Sequence, residues 1–448
     1  MKNIVDVHQT IQNFADSIGH VVTIKGWLVS RRSGNSNLHF LIVRDGTGFT
    51  QVVVHRKNVS SSKFDEMSSL APETSLEITG RVNEEPRAIG GYELTASDFT
   101  VYGESLDYPI TPKEHGIDWL MDRRHVWIRS ERQSAILRVR HTIINAVRDF
   151  LNDKGFVLTD APILVPSRNT EDAFKTPYFE TQEAELATSG QLYNEAAAIA
   201  VGRAYSFGPV FKMTRSRTRR HLMESWAAEP EMAYADLSDA ISLASELVSR
   251  VVYEVVDPMS VHSSVYSCLK DLKTLERDTE KLERIYCCHP ETFPTMTHEG
   301  AVDTLKQKGL PVEAGMQFSG TAETVLSTSY DLPLVVTHYP TDLRPFNINH
   351  DPTDSTKALS FELFAPEGFG PIISGGQRID DLGLLQRRME ERGIPVEQLN
   401  WYLDLCRYGS VPRSGFTVNI EALVMWICGL EHIREAIPFP RMMTRLRP

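Results

Sequence analysis

Long apolar runs are missing from this 448-residue chain. A helix that crosses a bilayer needs about 20 consecutive apolar residues, and no stretch of the sequence approaches that length. The amino-terminal segment MKNIVDVHQTIQNFADSIGH also lacks the basic and apolar regions of a signal peptide. We therefore expect a cytoplasmic protein without a membrane partner.

Cysteine is scarce, and the five cysteines show no spacing typical of a zinc site. The adjacent pair Cys287 and Cys288 does not suggest a disulfide framework, so we expect reduced, structural cysteines and no bound metal. Neither common nucleotide loop is present, because the chain lacks GxxxxGK[ST] and lacks GxGxxG between a strand and a helix. The net charge of −12 argues against nonspecific coating of nucleic acid, although local basic patches can still bind one RNA.

Five or six β-rich segments, separated by Gly and Asp turns, fill residues 20–102. This spacing predicts a small barrel, for which the OB-fold is the commonest five-stranded form and an SH3-like barrel fits nearly as well. Residues 103–129 contain Pro109 and Pro112 and show no clean periodicity, which predicts a linker.

The remainder, residues 130–448, mixes strands and helices without a regular βαβ repeat, which favours an α+β fold with an antiparallel sheet. Apolar residues at helical spacing predict a helix over residues 130–154, followed by a strand that ends at Pro162. Further helices are predicted over three segments, residues 236–256, 299–308 and 382–392.

Several sequence blocks occur in the order found in one enzyme family: TSGQLY at 188–193, YSFGP at 205–209, RTRRHL at 217–222, EPEM at 229–232 and GLEHIREAIPFPR at 429–441. On these blocks the chain resembles an asparaginyl-tRNA synthetase over nearly its whole length. The resemblance implies an amino-terminal OB-fold, residues 1–102, that binds the anticodon of a tRNA. It also implies a class II catalytic domain, residues 130–448, that forms a homodimer through residues 130–162.

Site residues follow from the same resemblance. In the barrel, Phe40 would stack on an anticodon base while Gln51 and Arg31 read base edges. Without the family context, Phe40 would be predicted as a core residue of an alternating strand. In the catalytic domain, the substrate-binding residues implied by the resemblance are Glu171, Ser189, Gln191, Asn194, Ser374 and Arg378.

The family's ATP-binding motifs are altered. Phe-Arg-x-Glu is replaced by Phe211-Lys212-Met213-Thr214, so Lys212 keeps the charge but loses the bidentate geometry of arginine. The Gly-x-Gly-x-Glu-Arg motif has Thr417 and Asn419 at its glycines and Ala422 at its arginine, and Pro371 stands where a glutamate would coordinate Mg²⁺. These changes predict that standard ATP- and Mg²⁺-dependent adenylation is lost. A basic loop that includes Lys212, Arg220 and His221 would remain as a phosphate-binding surface.

Three functions fit this pattern. The first is an enzyme repurposed for other chemistry on an amino-acid derivative or carboxamide-bearing substrate. That substrate could also be an aminoacyl or peptidyl group. Its catalytic residues would be Arg378, His221, Glu224 and Lys212. The second is a catalytically dead tRNA-binding or regulatory protein. The third is an authentic asparagine–tRNA ligase with compensating substitutions. The sequence assigns no cofactor.

Overall fold

The computed structural model describes residues 9–167, 173–180, 182–216, 218–257 and 268–448. Two predicted residues, Glu171 and Arg217, lie outside these ranges. The chain divides after Leu120 into two compact units. Within the described ranges, every helix is too short or too polar to cross a bilayer.

The first unit is a closed five-stranded barrel with the strand order β1-β2-β3-β5-β4. Its strands pair antiparallel except β3 with β5, and a helix connects β3 to β4. The elements are β1 (Val21–Asn35), β2 (Leu38–Arg44), β3 (Phe49–His55), α1 (Ser61–Met67), β4 (Ser75–Glu84) and β5 (Tyr92–Gly103). Alternate residues such as Leu41, Val52 and Leu94 point inward and are fully buried. The OB-fold prediction is confirmed.

The second unit is built on an eight-stranded mixed sheet with the order β12-β13-β16-β17-β18-β11-β10-β6. Its strands pair antiparallel except at the two edges, where β12 pairs parallel with β13 and β6 with β10. The strands of the unit are β6 (Val157–Leu158), β7 (Leu164–Pro166), β8 (Lys175–Tyr178), β9 (Gln182–Leu186), β10 (Arg203–Phe211), β11 (Glu224–Ala233), β12 (Thr295–Thr297), β13 (Leu334–Thr337), β14 (His350–Asp351), β15 (Asp354–Ala358), β16 (Ser360–Ala365), β17 (Gly370–Gln377) and β18 (Arg413–Asn419).

The α-helices that follow the barrel are α2 (Ile117–Asp122), α3 (Arg124–Trp127), α4 (Glu131–Asp153), α5 (Gln191–Val201), α6 (Leu237–Val256), α7 (Cys268–Thr274), α8 (Glu280–Cys287), α9 (His298–Gln307), α10 (Gly320–Thr328), α11 (Leu382–Glu391), α12 (Asn400–Arg407) and α13 (Ile420–Ile427). The predicted helices correspond to α4, α6, α9 and α11, with shifts of at most one residue at their ends. The segment predicted as a linker contains α2 and α3, which are too short to show helical periodicity.

The two faces of the large sheet differ in character. Ala228, Ile373, Phe416 and Val418 belong to the core that packs against α4, α6 and α13. Because side chains alternate along a strand, the neighbouring residues of β11, β17 and β18 point to the opposite side, which we call the open face. Helix α5 packs against β10 and β11 on this face, and α12 packs against α5. Polar side chains occupy the space beside α5.

Helix α6 begins with a capping box, which generates a testable prediction. The Asp236 carboxylate accepts hydrogen bonds from the backbone N–H groups of Ser238 (2.8 Å) and Asp239 (3.1 Å), and Asp239 accepts one from the Asp236 N–H (2.9 Å). We expect Asp236→Ala to cost about 1 kcal/mol and to lower the thermal unfolding midpoint of the second unit. Thr279→Ala is the matched control, because the Thr279 side chain makes no capping hydrogen bond at α8. Equal midpoints for the two variants would contradict the assignment.

Candidate active site

A row of polar side chains crosses the open face at mid-sheet. Ser206 on β10 lies opposite Glu229 on β11, and Ser374 on β17 lies opposite both Thr417 on β18 and Glu362 on β16. The Thr417 hydroxyl donates to Glu229 Oε1 at 3.3 Å, which joins the two halves of the row. Five neighbouring strands thus present polar groups to one space.

Glu229 connects this row to the start of α5. Its carboxylate accepts hydrogen bonds from the Ser189 hydroxyl (2.6 Å) and the Gly190 backbone N–H (2.7 Å), in addition to Thr417. Burial raises the pKa of Glu229, and the hydrogen bonds from Ser189, Gly190 and Thr417 counteract that effect. The carboxylate therefore fixes the chain immediately before Gln191.

Three of the predicted substrate-binding residues meet here. The Gln191 side-chain amide donates to Thr417 Oγ1 at 2.7 Å, and its backbone N–H donates to Ser189 Oγ at 3.0 Å. The Asn194 amide donates to Ser206 Oγ (2.8 Å) and to the Glu229 backbone carbonyl (2.9 Å). Asn194 is buried and fully engaged in holding α5 against β11, whereas Gln191 and Ser189 are half-buried at the edge of the space.

Arg378 lies beside this row in a buried ionic network. Its Nε donates to Glu231 Oε2 at 3.1 Å, and its Nη2 donates to the other oxygen of the same carboxylate. Glu195 on α5 accepts hydrogen bonds from Arg413 Nε (2.8 Å), the Tyr402 hydroxyl (2.7 Å) and the Asn347 amide (2.9 Å). Both carboxylates and both guanidinium groups are no more than 1% exposed. Two positive charges thus balance two negative charges at the floor of the site.

The charges of this network support one another. Burial alone would lower the pKa of Arg378, but the carboxylates of Glu231 and Glu195 outweigh it and raise that pKa. Gly415 is needed for this arrangement, because a Cβ there would lie 2.2 Å from the Glu231 carboxyl carbon. The Glu231 carboxylate therefore lies directly over the backbone of β18.

The basic loop between β10 and β11 contains residues with different roles. Lys212 and Arg215 are exposed, and among the described residues neither forms an ion pair or a hydrogen bond through its side chain. Arg220 is instead held by the protein, donating to Glu323 Oε2 (2.7 Å), Thr324 Oγ1 (2.7 Å) and the Gly368 carbonyl (2.5 Å). His221 is half-buried after it. Lys212 is thus more accessible to a phosphate than Arg220 is.

Glu224 is not brought into the polar row. The register of β11 places it on the same face as Trp226 and Ala228, which pack toward the helices, and opposite to Glu229 and Glu231. The prediction that Glu224 faces the substrate pocket therefore lacks geometric support. The alternation of β11 would have identified Glu229 and Glu231 instead.

The residues that replace the family's nucleotide-binding groups have local structural roles. Asn419 caps α13, since its side-chain oxygen accepts a hydrogen bond from the Ala422 N–H at 2.9 Å. Glu362, opposite Ser374, accepts hydrogen bonds from Arg344 Nη1 (2.9 Å) and the Tyr339 hydroxyl (2.8 Å). Pro371 has no side-chain oxygen, so it does not supply the Mg²⁺ ligand that a glutamate would. In the described ranges, no three His, Cys, Asp or Glu side chains are grouped as metal ligands.

The barrel carries the other predicted site on its outer surface. Phe40 is half-buried and is absent from the residues of the barrel core, while the Arg32 guanidinium lies 4.8 Å from its ring centroid. On the neighbouring strand β3, Gln51 lies two residues before Val53, the residue that pairs with Phe40. Gln51 is half-buried, and its amide donates to Glu93 Oε2 at 3.1 Å. Arg31 is exposed. Phe40 is thus not a core residue of the barrel, the role predicted for it without the family context.

Comparisons with known proteins match both units. The family model described as "tRNA synthetases class II (D, K and N)" matches residues 117–443, and the one described as "OB-fold nucleic acid binding domain" matches residues 22–102. The "Asparagine--tRNA ligase" of Desulforamulus reducens is 44% identical over 440 residues, which cover 98% of this chain and 99% of the relative. The protein of the same name from Pelotomaculum thermopropionicum is 45% identical over the same shares of the two chains.

This chain belongs to the asparaginyl-tRNA synthetase family. The asparaginyl-tRNA synthetase of Pyrococcus horikoshii, solved in complex with asparaginyl-adenylate, superposes with a TM-score of 0.91 at 35% identity, covering 99% of this chain and all of the other. The Entamoeba histolytica asparaginyl-tRNA synthetase in complex with asparaginyl-adenylate gives 0.86 at 27% identity, again with 99% and 100% coverage.

Membership of the asparaginyl-tRNA synthetase family corrects the leading functional prediction. The prediction of a repurposed enzyme rests on Lys212, Thr214, Pro371 and Ala422. The curated relatives at 44–45% identity are instead named as ligases, along nearly their full length. The third function, authentic ligation, is therefore better supported than a repurposed reaction.

Proposed function

We propose that this member of the family is an asparagine–tRNA ligase, which activates asparagine with ATP and transfers it to tRNA. The observation that supports this most is the convergence of Ser189, Gln191 and Arg378 around one polar space on the open face. Asparagine carries an ammonium group, a carboxylate and a carboxamide, and these groups need acceptors and donors fixed at separate positions.

The geometry suggests a role for each side chain. The carbonyl oxygen of Gln191, which makes no hydrogen bond among the described residues, is an acceptor for the ammonium group. Arg378, held in place by Glu231, is the donor for the carbonyl oxygen of the carboxamide. Lys212, exposed at the loop, supplies positive charge for the α-phosphate, where negative charge develops during adenylation.

Asparagine-dependent exchange of pyrophosphate into ATP tests the proposal. We expect exchange with asparagine and none with aspartate, because Glu231 would repel a second carboxylate beside it. Lys212→Met should lower the exchange rate by about 10²–10³-fold, the usual effect of removing one preorganised charge partner. Lys306→Met, which removes a lysine from the exposed side of α9, is the matched control and should leave the rate unchanged. Wild-type protein without exchange would refute the ligase.

A second candidate function, altered chemistry on an amino-acid derivative, is favoured by one feature. Thr417 and Asn419 fill positions where the family's glycines let a nucleotide approach the backbone, and each forms a hydrogen bond within the protein. The exchange assay separates the candidates. Tight binding of asparagine without pyrophosphate exchange would favour altered chemistry. Binding of RNA with neither asparagine binding nor exchange would favour the regulatory protein.

We further propose that the barrel binds the anticodon of an asparagine tRNA through Phe40 and Gln51. Phe40→Ala should weaken tRNA binding by ~1–3 kcal/mol, because the ring would no longer stack on a base. Tyr102→Ala is the control, since Tyr102 is an exposed aromatic residue of β5 in the same barrel and is 60% exposed. Binding is measured by titration with labelled tRNA. Equal effects of the two substitutions would count against this site.

The homodimer is likewise a proposal. Helix α4 buries its apolar residues within its own unit, so it needs no partner for that purpose. In the segment that follows α4, four apolar side chains are exposed, Val157 (46%), Leu158 (41%), Ile163 (45%) and Leu164 (52%). A second copy would cover this patch and pair with the short edge strand β6.

Light scattering tests the dimer. We expect a mass twice the monomer value of 50.5 kDa at micromolar concentration. Leu158→Glu should shift the population toward monomer, because it would bury an unpaired charge in the interface. Leu446→Glu, which makes the same change at an exposed residue of the same unit, is the control and should not change the mass. A monomeric wild-type protein would overturn the proposal.

A further inference from the structure

Thr417 is the centre of a closed ring of hydrogen bonds at the start of α5. Its hydroxyl oxygen accepts from Gln191 Nε2 at 2.7 Å, and its hydroxyl hydrogen is donated to Glu229 Oε1 at 3.3 Å. Glu229 Oε1 also accepts from Ser189 Oγ at 2.6 Å, and Ser189 Oγ in turn accepts from the Gln191 backbone N–H at 3.0 Å. The ring therefore returns to the residue at which it began.

The direction of these bonds determines what Gln191 can offer to a ligand. A hydroxyl has one hydrogen, and Thr417 directs its hydrogen to a carboxylate that cannot donate. Thr417 must then accept from Gln191, so the Gln191 NH₂ group turns toward β18. The carbonyl oxygen of Gln191 turns away from Thr417 and, among the described residues, accepts no hydrogen bond.

We propose that Thr417 is a positioning residue that orients the Gln191 amide, so that its carbonyl oxygen faces the ammonium group of the amino-acid substrate. This inference deepens the proposed function and rests on it for the identity of the substrate. A glycine at position 417, as the resemblance implies for the family, has no side chain to make this contact. The hydrogen bond from Gln191 to Thr417 therefore distinguishes this chain from relatives that have glycine at this position.

Three substitutions at one position separate the hydroxyl from the rest of the side chain. Thr417→Ser keeps both hydrogen bonds, Thr417→Val keeps the shape without the hydroxyl, and Thr417→Gly removes the side chain altogether. We expect Thr417→Ser to bind asparagine like wild type in calorimetry. Thr417→Val and Thr417→Gly should bind it about 3- to 10-fold more weakly, the usual effect of losing one hydrogen bond. In exchange assays the loss should appear in KM more than in kcat.

Thr295→Val is the matched control, because it makes the same chemical change on the exposed edge strand β12 of the same sheet. It should alter neither affinity nor KM. Thermal midpoints of all four variants identify any that lose stability. If Thr417→Val fails to fold, the Thr417→Ser and Thr417→Gly pair still tests the role of the hydroxyl.

Crystal structures of the variants provide a readout that needs no substrate. We expect Gln191 to keep its side-chain position in Thr417→Ser and to leave it in Thr417→Val and Thr417→Gly. An unmoved Gln191 together with wild-type affinity in Thr417→Val would overturn the inference. If the wild-type protein does not bind asparagine, the ligase proposal fails, and the position of Gln191 alone then decides the role of Thr417.

Discussion

Four charged side chains, sealed from water, form the interaction on which the second unit depends. Glu195 lies on α5, Glu231 on β11 and Arg413 at the start of β18, and Arg378 directly follows β17, so a single neutral cluster joins one helix to three strands. A buried ion pair contributes little net stability, but breaking one by removing a partner typically costs about 3–5 kcal/mol. The cluster therefore specifies one relative placement of these elements, and the polar space above it inherits that placement.

The same cluster explains why the site is rigid at its floor. Arg378 and Glu231 are locked together by two parallel hydrogen bonds, whose geometry leaves little angular freedom. Above them, Gln191 donates to the Thr417 and Ser189 hydroxyls, and both hydroxyls donate to the Glu229 carboxylate, so the Gln191 amide is held in one orientation. The proposed substrate would thus meet fixed charges at one end and an oriented amide dipole at the other.

Sequence alone predicts those parts that depend on local patterns. The barrel strands and helices α4, α6, α9 and α11 follow from alternation or helical spacing, and the resemblance places Ser189, Gln191 and Asn194 near one another. The pairing of Glu195 with Arg413 joins residues more than two hundred positions apart, and nothing local indicates it. Glu224 shows a different difficulty. A motif supplies its position in the chain, but only the register of β11 reveals the face on which it lies.

Strand β18 can change at two of its positions but not at a third. At positions 417 and 419 a side chain finds room and a hydrogen-bond partner, so glycine is dispensable there. At Gly415 any side chain would displace the Glu231 carboxylate and leave the Arg378 guanidinium buried beside too little negative charge. On β18, position 415 must therefore stay glycine, whereas the next two positions on the same face, 417 and 419, accept a side chain. Substitutions at positions 417 and 419 can thus change the ligand specificity of the site without breaking the buried Glu231–Arg378 ion pair beneath it.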